Sequence, residues 1–384
     1  MKKKKILIAY ATYGSGHKTV AEYIYEYFKK NNPQEELDIR IIDILDYSNK
    51  LGDLSKNLFE KNFQLKGNFI FNTIYEFFDH RVTTIPYKFI TRTLFAKDLE
   101  DYIIDFEPDI LISSHFFASI MMEIINRKYN INTKIVTIIT DYQSHQMWIK
   151  NKNKSTAYIV SNEIVKQQLV NDGIKKDKIY PFGIPLSSSF KNTICNIDEV
   201  KSNYKINNNK PTYLFFAGGG MGASYSYDYL KKILESKLDI NMIFVCGKND
   251  KLKNRVEYLI KNRDYQNVLV LGYTNDVFNL MSISDLIITK PGALILTESL
   301  ELKKPLLLIP GAGGQENYNA KFIKRNGFGV SCSNPRKTGK YIKKIYDKPK
   351  LLEKYKYNLL HYQENKAIEK IYKLVINLLK QEVI

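Results

Sequence analysis

Cysteine is scarce and unpaired: Cys195, Cys246 and Cys332 stand alone in 384 residues, with no C-x-x-C spacing, which argues against both a disulfide framework and a structural zinc site. Long apolar runs are missing too. No uninterrupted hydrophobic stretch reaches the roughly 18 residues of a membrane-spanning helix, and 44% hydrophobic composition fits a soluble globular chain. The basic start MKKKK leads into ILIAYA, which is short of a signal peptide's apolar core and lacks a small-residue cleavage site. It reads as a solvated lysine run entering a first buried strand, in a protein of the reducing cytoplasm. Also missing is the third glycine of the dinucleotide fingerprint: after Gly14 and Gly16, position 19 is Thr19, which argues against a nicotinamide cofactor.

What is abundant is positive charge. The formal net charge of +18 suits nucleic acid, an anionic bilayer or an anionic substrate, and speaks to partners rather than to fold. No zinc finger or RNP pattern is present, so nucleic acid is not expected as a partner.

At this length two domains of about 150 to 200 residues are expected. Short runs rich in β-branched residues and leucine alternate with amphipathic helical stretches: KILIAYA, DIRIIDI, DILISS, KIVTIIT, AYIVS and KIYPFG, then TYLFFAGGG, NMIFVCG, VLVLGY, DLIITKPG and PLLLIP. Runs that are apolar on both faces and separated by helices imply parallel strands covered on both sides. The expected fold class is α/β, with two Rossmann-like domains. The boundaries are 1–186 for the first domain, 187–210 for a polar linker, 211–365 for the second domain and 366–384 for a last helix.

In such sheets ligands bind outside the carboxyl ends of the strands. Gly14, Ser15, Gly16 and His17 follow the first strand. The glycines allow close backbone approach, and a helix N-terminus disfavours a protonated imidazole, so His17 is expected to be neutral and able to accept a proton. In ITKPGALILTESL, a buried strand delivers Lys290, Pro291 suits a first helical turn, and Gly292 leaves the helix start open to phosphate. Glu298 falls about two turns into that helix, where a carboxylate suits paired ribose hydroxyls. FFAGGGMG places Gly218, Gly219, Gly220 and Gly222 after another strand, and GAGGQENYNA places Gln315, Glu316 and Asn319 where they can hydrogen-bond sugar hydroxyls. Together these turns point to a nucleotide-sugar site.

The ordered set YGSGH, TDYQSHQMW, FGIP, AGGGMG, VCGKND, LGY, TKPGALILTES and GQE resembles the monogalactosyldiacylglycerol synthase and processive diacylglycerol glucosyltransferase family. It is more distantly similar to the N-acetylglucosaminyltransferase that makes lipid II. The resemblance implies the GT-B fold, two Rossmann-like domains with parallel sheets facing a central cleft, and a last helix crossing back to the first domain. It implies inverting transfer of glucose or galactose from a UDP-sugar to diacylglycerol at the cytoplasmic face of the membrane. Carried over, the catalytic candidates are His17 and Asp141, and the acceptor-side residues are Gly14, Gly16, His145 and Trp148. The donor-side residues are Gly218, Gly219, Gly220, Met221, Tyr273, Lys290, Gly292, Ala293, Leu294, Thr297, Glu298, Gln315, Glu316 and Asn319. His17 is favoured as the base; Asp141 could serve instead, orient a histidine or bind the acceptor. Two departures stand out: Ala293 replaces a glycine of many relatives, and Ile295 replaces a threonine whose hydroxyl could contact phosphate.

The chain has no D-x-D sequence, the usual carboxylate pattern for a metal-bridged diphosphate, so neither a metal nor a cofactor is expected, with Lys290 and the helix start at Gly292 supplying positive potential. Between residues 58 and 95 aromatics (Phe59, Phe63, Phe69, Phe71, Tyr75, Phe77, Phe78, Tyr87 and Phe89) are interleaved with Lys61, Lys66, Arg81, Lys88 and Arg92; aromatics at helical spacing commonly build a core, but with these cations the segment is expected to dock on an anionic membrane surface. The alternatives are a polyprenyl-linked acceptor, a UDP-sugar epimerase, or a membrane-binding protein with a vestigial nucleotide fold.

Overall fold

A computed structural model describes residues 3–12, 15–32, 34, 36–47, 97–149, 154–218, 220–311 and 313–381. Gly14, Gly219 and the aromatic-basic segment 58–95 lie outside them. The described chain divides into two compact units, one running up to Ser187 and resuming at Asn365, the other Ser188–Glu364.

The first unit is a six-stranded sheet in the order β2-β1-β3-β4-β5-β6, with every pairing parallel. Its strands are β1 (Lys4–Tyr10), β2 (Leu37–Asp43), β3 (Ile110–Ser113), β4 (Lys134–Ile138), β5 (Ala157–Ile159) and β6 (Ile179–Tyr180). Between them run helices α1 (Ser15–Lys30), α2 (Lys97–Phe106), α3 (Phe116–Tyr129), α4 (Gln146–Ile149) and α5 (Glu163–Asn171). The central strands are apolar on both faces because helices cover both sides; all four residues of β3 are buried. Helix α1 buries Val20, Ala21, Ile24 and Phe28, one stripe at helical spacing, and ends in Lys29 and Lys30, which suit the negative end of its dipole.

The second unit has sheet order β12-β11-β10-β7-β8-β9, also parallel throughout. Two short helices come first, α6 (Ser189–Asn192) and α7 (Ile197–Asn203). The polar passage 187–210 is thus not an extended connection: Asn196 caps α7 by accepting the Glu199 N–H at 3.3 Å, with Asp198 and Glu199 in its first turn. Then follow β7 (Thr212–Phe216), α8 (Ser226–Leu234), β8 (Asn241–Val245), α9 (Asp250–Arg263), β9 (Val268–Leu271), α10 (Val277–Ser282), β10 (Leu286–Thr289), α11 (Ala293–Glu301), β11 (Leu306–Leu308), α12 (Gln315–Arg325), β12 (Gly329–Ser331), α13 (Pro335–Asp347) and α14 (Pro349–Leu360).

The chain then returns to the first unit. Asn365 is buried, donating to the Ile184 carbonyl at 2.7 Å and accepting the Ala367 N–H at 2.9 Å. It starts α15 (Ala367–Lys380), which buries Ala367, Ile368, Ile371 and Val375. Tyr372 packs edge-on against Phe28 at 4.9 Å and donates to the Asn31 carbonyl at 2.9 Å. Lys134 binds the far end of the helix through the carbonyls of Leu378 at 2.6 Å and Gln381 at 2.7 Å. Among the described residues no helix is long and apolar enough to cross a membrane.

This seam sets a stability test. Ile371 is fully buried, so Ile371→Ala should cost about 3 kcal/mol in denaturant unfolding; a loss within about 0.5 kcal/mol, as at surface positions, would show that α15 does not dock through this face.

Candidate functional site

In each sheet the second strand is added on one side of the first and a later strand on the other, so connections diverge between β1 and β3 and between β7 and β10. These are the crevices where an open parallel sheet binds ligands.

At the first crevice, Ser15 opens α1 and His17 lies in its first turn. The His17 Nδ1 is 2.8 Å from the Ser114 carbonyl oxygen and 3.1 Å from the Thr140 hydroxyl. A carbonyl only accepts, so Nδ1 carries the proton and Nε2 keeps its lone pair. Ser114 secures the histidine once more, its hydroxyl donating to the His17 carbonyl at 2.8 Å, and its own N–H ties it to the Ala9 carbonyl at 3.1 Å. Burial pushes the His17 pKa down to about 4, the bond to Ser114 opposing the shift. The imidazole is therefore neutral at pH 7, through burial rather than through the helix start from which the sequence led us to expect it.

The structure adds a residue that the motifs did not reveal. His115, directly after β3, caps α3 by accepting the Phe117 N–H on its own Nδ1 at 3.3 Å. Its neutral form therefore carries the proton on Nε2, the opposite tautomer to His17. The two rings meet edge to face at 4.7 Å. Burial, and then the neighbouring His17, hold the His115 pKa well below the usual histidine range. The only sequence signal for His115 was its place at a strand's carboxyl end.

Trp148 lies 6.2 Å from the His17 ring and 6.3 Å from His115, packed edge-on to Phe116 at 5.6 Å. It is buried, and its indole N–H has no hydrogen-bond partner among the described residues. His145 is also buried and accepts the Met147 N–H at 3.1 Å, repeating the His115 arrangement one strand along. Asp141 is buried at the end of β4, its carbonyl accepting from the Ser161 hydroxyl at 2.8 Å. The neighbour that reaches the His17 ring is Thr140. Gly16 has open space where a side chain would start. A second anchor came unannounced: Asp43, at the end of β2, accepts from the Thr12 hydroxyl and from the N–H groups of Thr12 at 3.4 Å and Leu45 at 3.0 Å. It steadies the chain entering α1.

At the second crevice the glycine turns interlock. Gly222 has φ +68° and an added Cβ would strike the Cys246 carbonyl, so only glycine suits this close approach of the loops after β7 and β8. Lys248 N–H donates to the Gly220 carbonyl at 2.8 Å, and Asn249 to that of Gly222 at 2.8 Å. Exposed Tyr273 stands beside Gly220, with the Lys248 ammonium 5.3 Å from its ring; Met221 is partly exposed in the same turn.

Lys290 leaves β10 with its side chain 3.5 Å from the place of a Cβ on Gly218. Gly292 is the N-cap of α11 with its N–H bonded back to the Lys290 carbonyl at 2.8 Å, so Pro291 precedes the helix rather than entering its first turn. Ala293 and Leu294 form the partly exposed start of α11. Thr297 and Glu298 are buried in it, the Thr297 hydroxyl donating to the Ala293 carbonyl at 2.8 Å. Gln315 and Glu316 open α12, where Glu316 forms an ion pair with Lys290, and Asn319 donates to the Pro291 carbonyl at 3.1 Å. Lys290, Gly292, Gly218, Glu316 and Asn319 thus converge; Thr297 and Glu298 lie deeper along α11. Among the described residues no three of His, Cys, Asp and Glu come together as a metal-holding group.

Two parallel Rossmann-like sheets of this kind make a GT-B fold. Residues 17–186 match the family model of monogalactosyldiacylglycerol (MGDG) synthase and residues 196–361 that of glycosyl transferases group 1. Each half of the chain is thus similar to a glycosyltransferase family model. A processive diacylglycerol beta-glucosyltransferase of Staphylococcus epidermidis is 27% identical over 98% of this chain and 93% of its own length. The enzyme of that name from Staphylococcus carnosus is 28% identical over 85% of this chain and 80% of its own. In fold, MurG of Acinetobacter baumannii matches at a TM-score of 0.61 and 15% identity, covering 97% of this chain and 99% of that one. A UDP-GlcNAc 2-epimerase of Neisseria meningitidis matches at 0.62 and 17% identity, covering 97% and 100%.

The neutral histidines make stability depend on pH. Because the folded pKa of His17, about 4, lies below its ordinary 6.5, the unfolded chain binds more protons between those values, and stability must fall as pH drops through that window. Denaturant unfolding at pH 7.5 and 5 should show the loss, and the double variant His17→Gln/His115→Asn should flatten it; an unchanged slope would mean that the rings titrate normally in the folded chain.

Proposed function

We propose that the protein transfers a hexose, with inversion, from a UDP-sugar to the free hydroxyl of diacylglycerol, making a β-glycosyl-diacylglycerol. Glucose is the favoured sugar, on the strength of the relatives' names; galactose is the competing donor. The observation that carries the reading is the His17 ring, oriented through Nδ1 by the Ser114 carbonyl so that Nε2 is the free base.

The chemistry follows from named groups. Nε2 of His17 takes the proton of the acceptor hydroxyl as its oxygen attacks the anomeric carbon opposite the leaving diphosphate. The bond from that carbon to the diphosphate oxygen breaks, and its electron pair leaves with UDP. Inversion at that carbon turns an α-linked donor into a β-linked product. The positive charge of Lys290 and the N–H groups at the start of α11 favour the departing phosphates, so the mechanism needs no metal. Asp141, next to Thr140, is assigned to acceptor binding. Partly exposed Phe116 and Phe117 beside the histidines suit an apolar acceptor. The charge of +18 supports a peripheral position on an anionic membrane face, with segment 58–95 as the contact.

Purified protein incubated with liposomes of diacylglycerol and anionic lipid, and with labelled UDP-glucose or UDP-galactose in parallel, should yield a hexosyl-diacylglycerol identified by mass. His17→Ala should lower turnover by roughly 10²- to 10⁴-fold while donor binding persists. Unchanged turnover would remove His17 from the mechanism, and label entering no lipid would move the acceptor to a polyprenyl carrier or the activity to an epimerase.

A further inference from the structure

The second unit concentrates positive charge away from its crevice. Residues 336–354 carry eight basic side chains against two acidic ones, one third of the net charge of +18 within 19 of 384 residues, far above what a lysine-rich composition alone would place there. On α13, Ile342 and Ile345 turn into the core, while Arg336, Lys337, Lys340, Lys343 and Lys344 are exposed on the face turned away from it. Gly339 lets the helix press against the end of α8, because a Cβ there would lie 2.8 Å from the Lys232 carbonyl oxygen. Lys340, Lys343, Lys344 and Lys348 line an open groove at that junction, together with Ser236, Gly339 and Asp347. Among the described residues the only ion pair these lysines form is that of Lys343 with Asp347, at 3.2 Å. Like charges on one rigid helix face repel each other, a cost that nothing inside the unit offsets. The next helix adds apolar groups: on α14, Lys350, Lys354, Tyr357 and Leu360 share one face by helical spacing, and Tyr357 and Leu360 are 63% and 68% exposed.

We propose that α13 and α14 form a docking surface for an anionic lipid bilayer, which gives the second unit its own hold on the membrane. The inference rests on the peripheral-membrane part of the reading above, and the surface is separate in the chain from segment 58–95. Lipid phosphates supply the counter-charge that the lysines lack, each basic residue near an anionic surface strengthening partitioning about fivefold. Tyr357 and Leu360 find their place in the headgroup layer, where an aromatic ring with a polar tip and an aliphatic chain both leave water. A nucleic acid would meet the charge but leave Leu360 unused, and α14 presents one exposed ring, Tyr357, rather than the series of rings on which successive bases stack. The inner faces of both helices are engaged in their own unit, so the contact is mainly electrostatic, reversible and weakened by salt.

The test is co-sedimentation of the full chain with vesicles of phosphatidylcholine, alone or mixed with phosphatidylglycerol, beside the variants Lys340→Gln/Lys344→Gln/Lys348→Gln and Tyr357→Ser/Leu360→Ser. The triple variant should bind mixed vesicles at least about tenfold more weakly than the unaltered chain, with the gap narrowing as salt is added. The double variant should bind them about fivefold more weakly. Both should keep the unaltered chain's thermal unfolding midpoint, because all five replaced side chains are exposed. Equal binding by the unaltered chain and the triple variant would overturn the surface and leave the diacylglycerol reading standing. Tighter binding of the unaltered chain to polyglutamate than to mixed vesicles, with the double variant unaffected on vesicles, would assign the face to an acidic protein and overturn the bilayer. No binding of the unaltered chain to mixed vesicles would overturn the peripheral-membrane reading itself and the inference with it.

Discussion

Parallel strand pairing is the constraint on which both candidate sites depend. It places every strand's carboxyl end on one edge of its sheet, so all turns that lead from strand to helix gather there. What opens a crevice is the point where strand addition changes direction, between β1 and β3 in one sheet and between β7 and β10 in the other. His17 and His115 follow the first pair, and Gly218 and Lys290 the second. Residues about a hundred positions apart become neighbours because two strands pair, and the hydrogen bonds of Ser114 to Ala9 and His17 tighten that register into a fixed ring orientation.

The two crevices solve opposite electrostatic problems. The first excludes charge: its histidines lie against Phe116, Trp148 and each other, and each is held neutral with the proton on a nitrogen chosen by backbone. Ser114 offers a carbonyl and so fixes a proton on Nδ1 of His17; Phe117 offers an N–H and so keeps Nδ1 of His115 bare. The second concentrates charge and compensates it, with an ammonium, a carboxylate and a helix start in contact. Proton transfer suits a site of the first kind, and holding a polyanion one of the second.

Much of this was legible in the sequence. Apolar runs of five to seven residues separated by helical stretches gave both sheets; glycine is common in any tight turn, so the turns of Gly16-His17 and Lys290-Pro291-Gly292 were informative only through the histidine and lysine they carry and their recurrence at successive strand ends. His115 was hidden because the order of strands, which puts β3 beside β1, has no periodic signature; a histidine after DILISS is informative only once its neighbour is known. Asp43 was hidden for the same reason, its partner Thr12 belonging to another strand's turn. The helices within 187–210 were masked by polar composition, though Asn196 followed by Asp198 and Glu199 is a helix-start pattern. The ion pair of Lys290 and Glu316 needed three dimensions outright: each residue was visible, and their contact was not.

The low proton affinity of His17 follows from its burial among apolar neighbours. On the proposed reading a lipid hydroxyl arrives on an apolar body, which the partly exposed Phe116 and Phe117, packed on buried Trp148 and Met147, would suit. The same surroundings deny an imidazolium its water, so an environment suited to the acceptor necessarily weakens the base. A carboxylate partner on Nδ1 would restore basicity, but it would bring a full buried charge beside the acceptor. The Ser114 carbonyl is the milder solution: it fixes the tautomer and moves the pKa upward against the effect of burial, while keeping the crevice uncharged. Thr140 adds a second neutral contact on the same nitrogen. The orientation of the base is thus secured by dipoles alone, which is the arrangement that lets one small crevice be both apolar and proton-accepting.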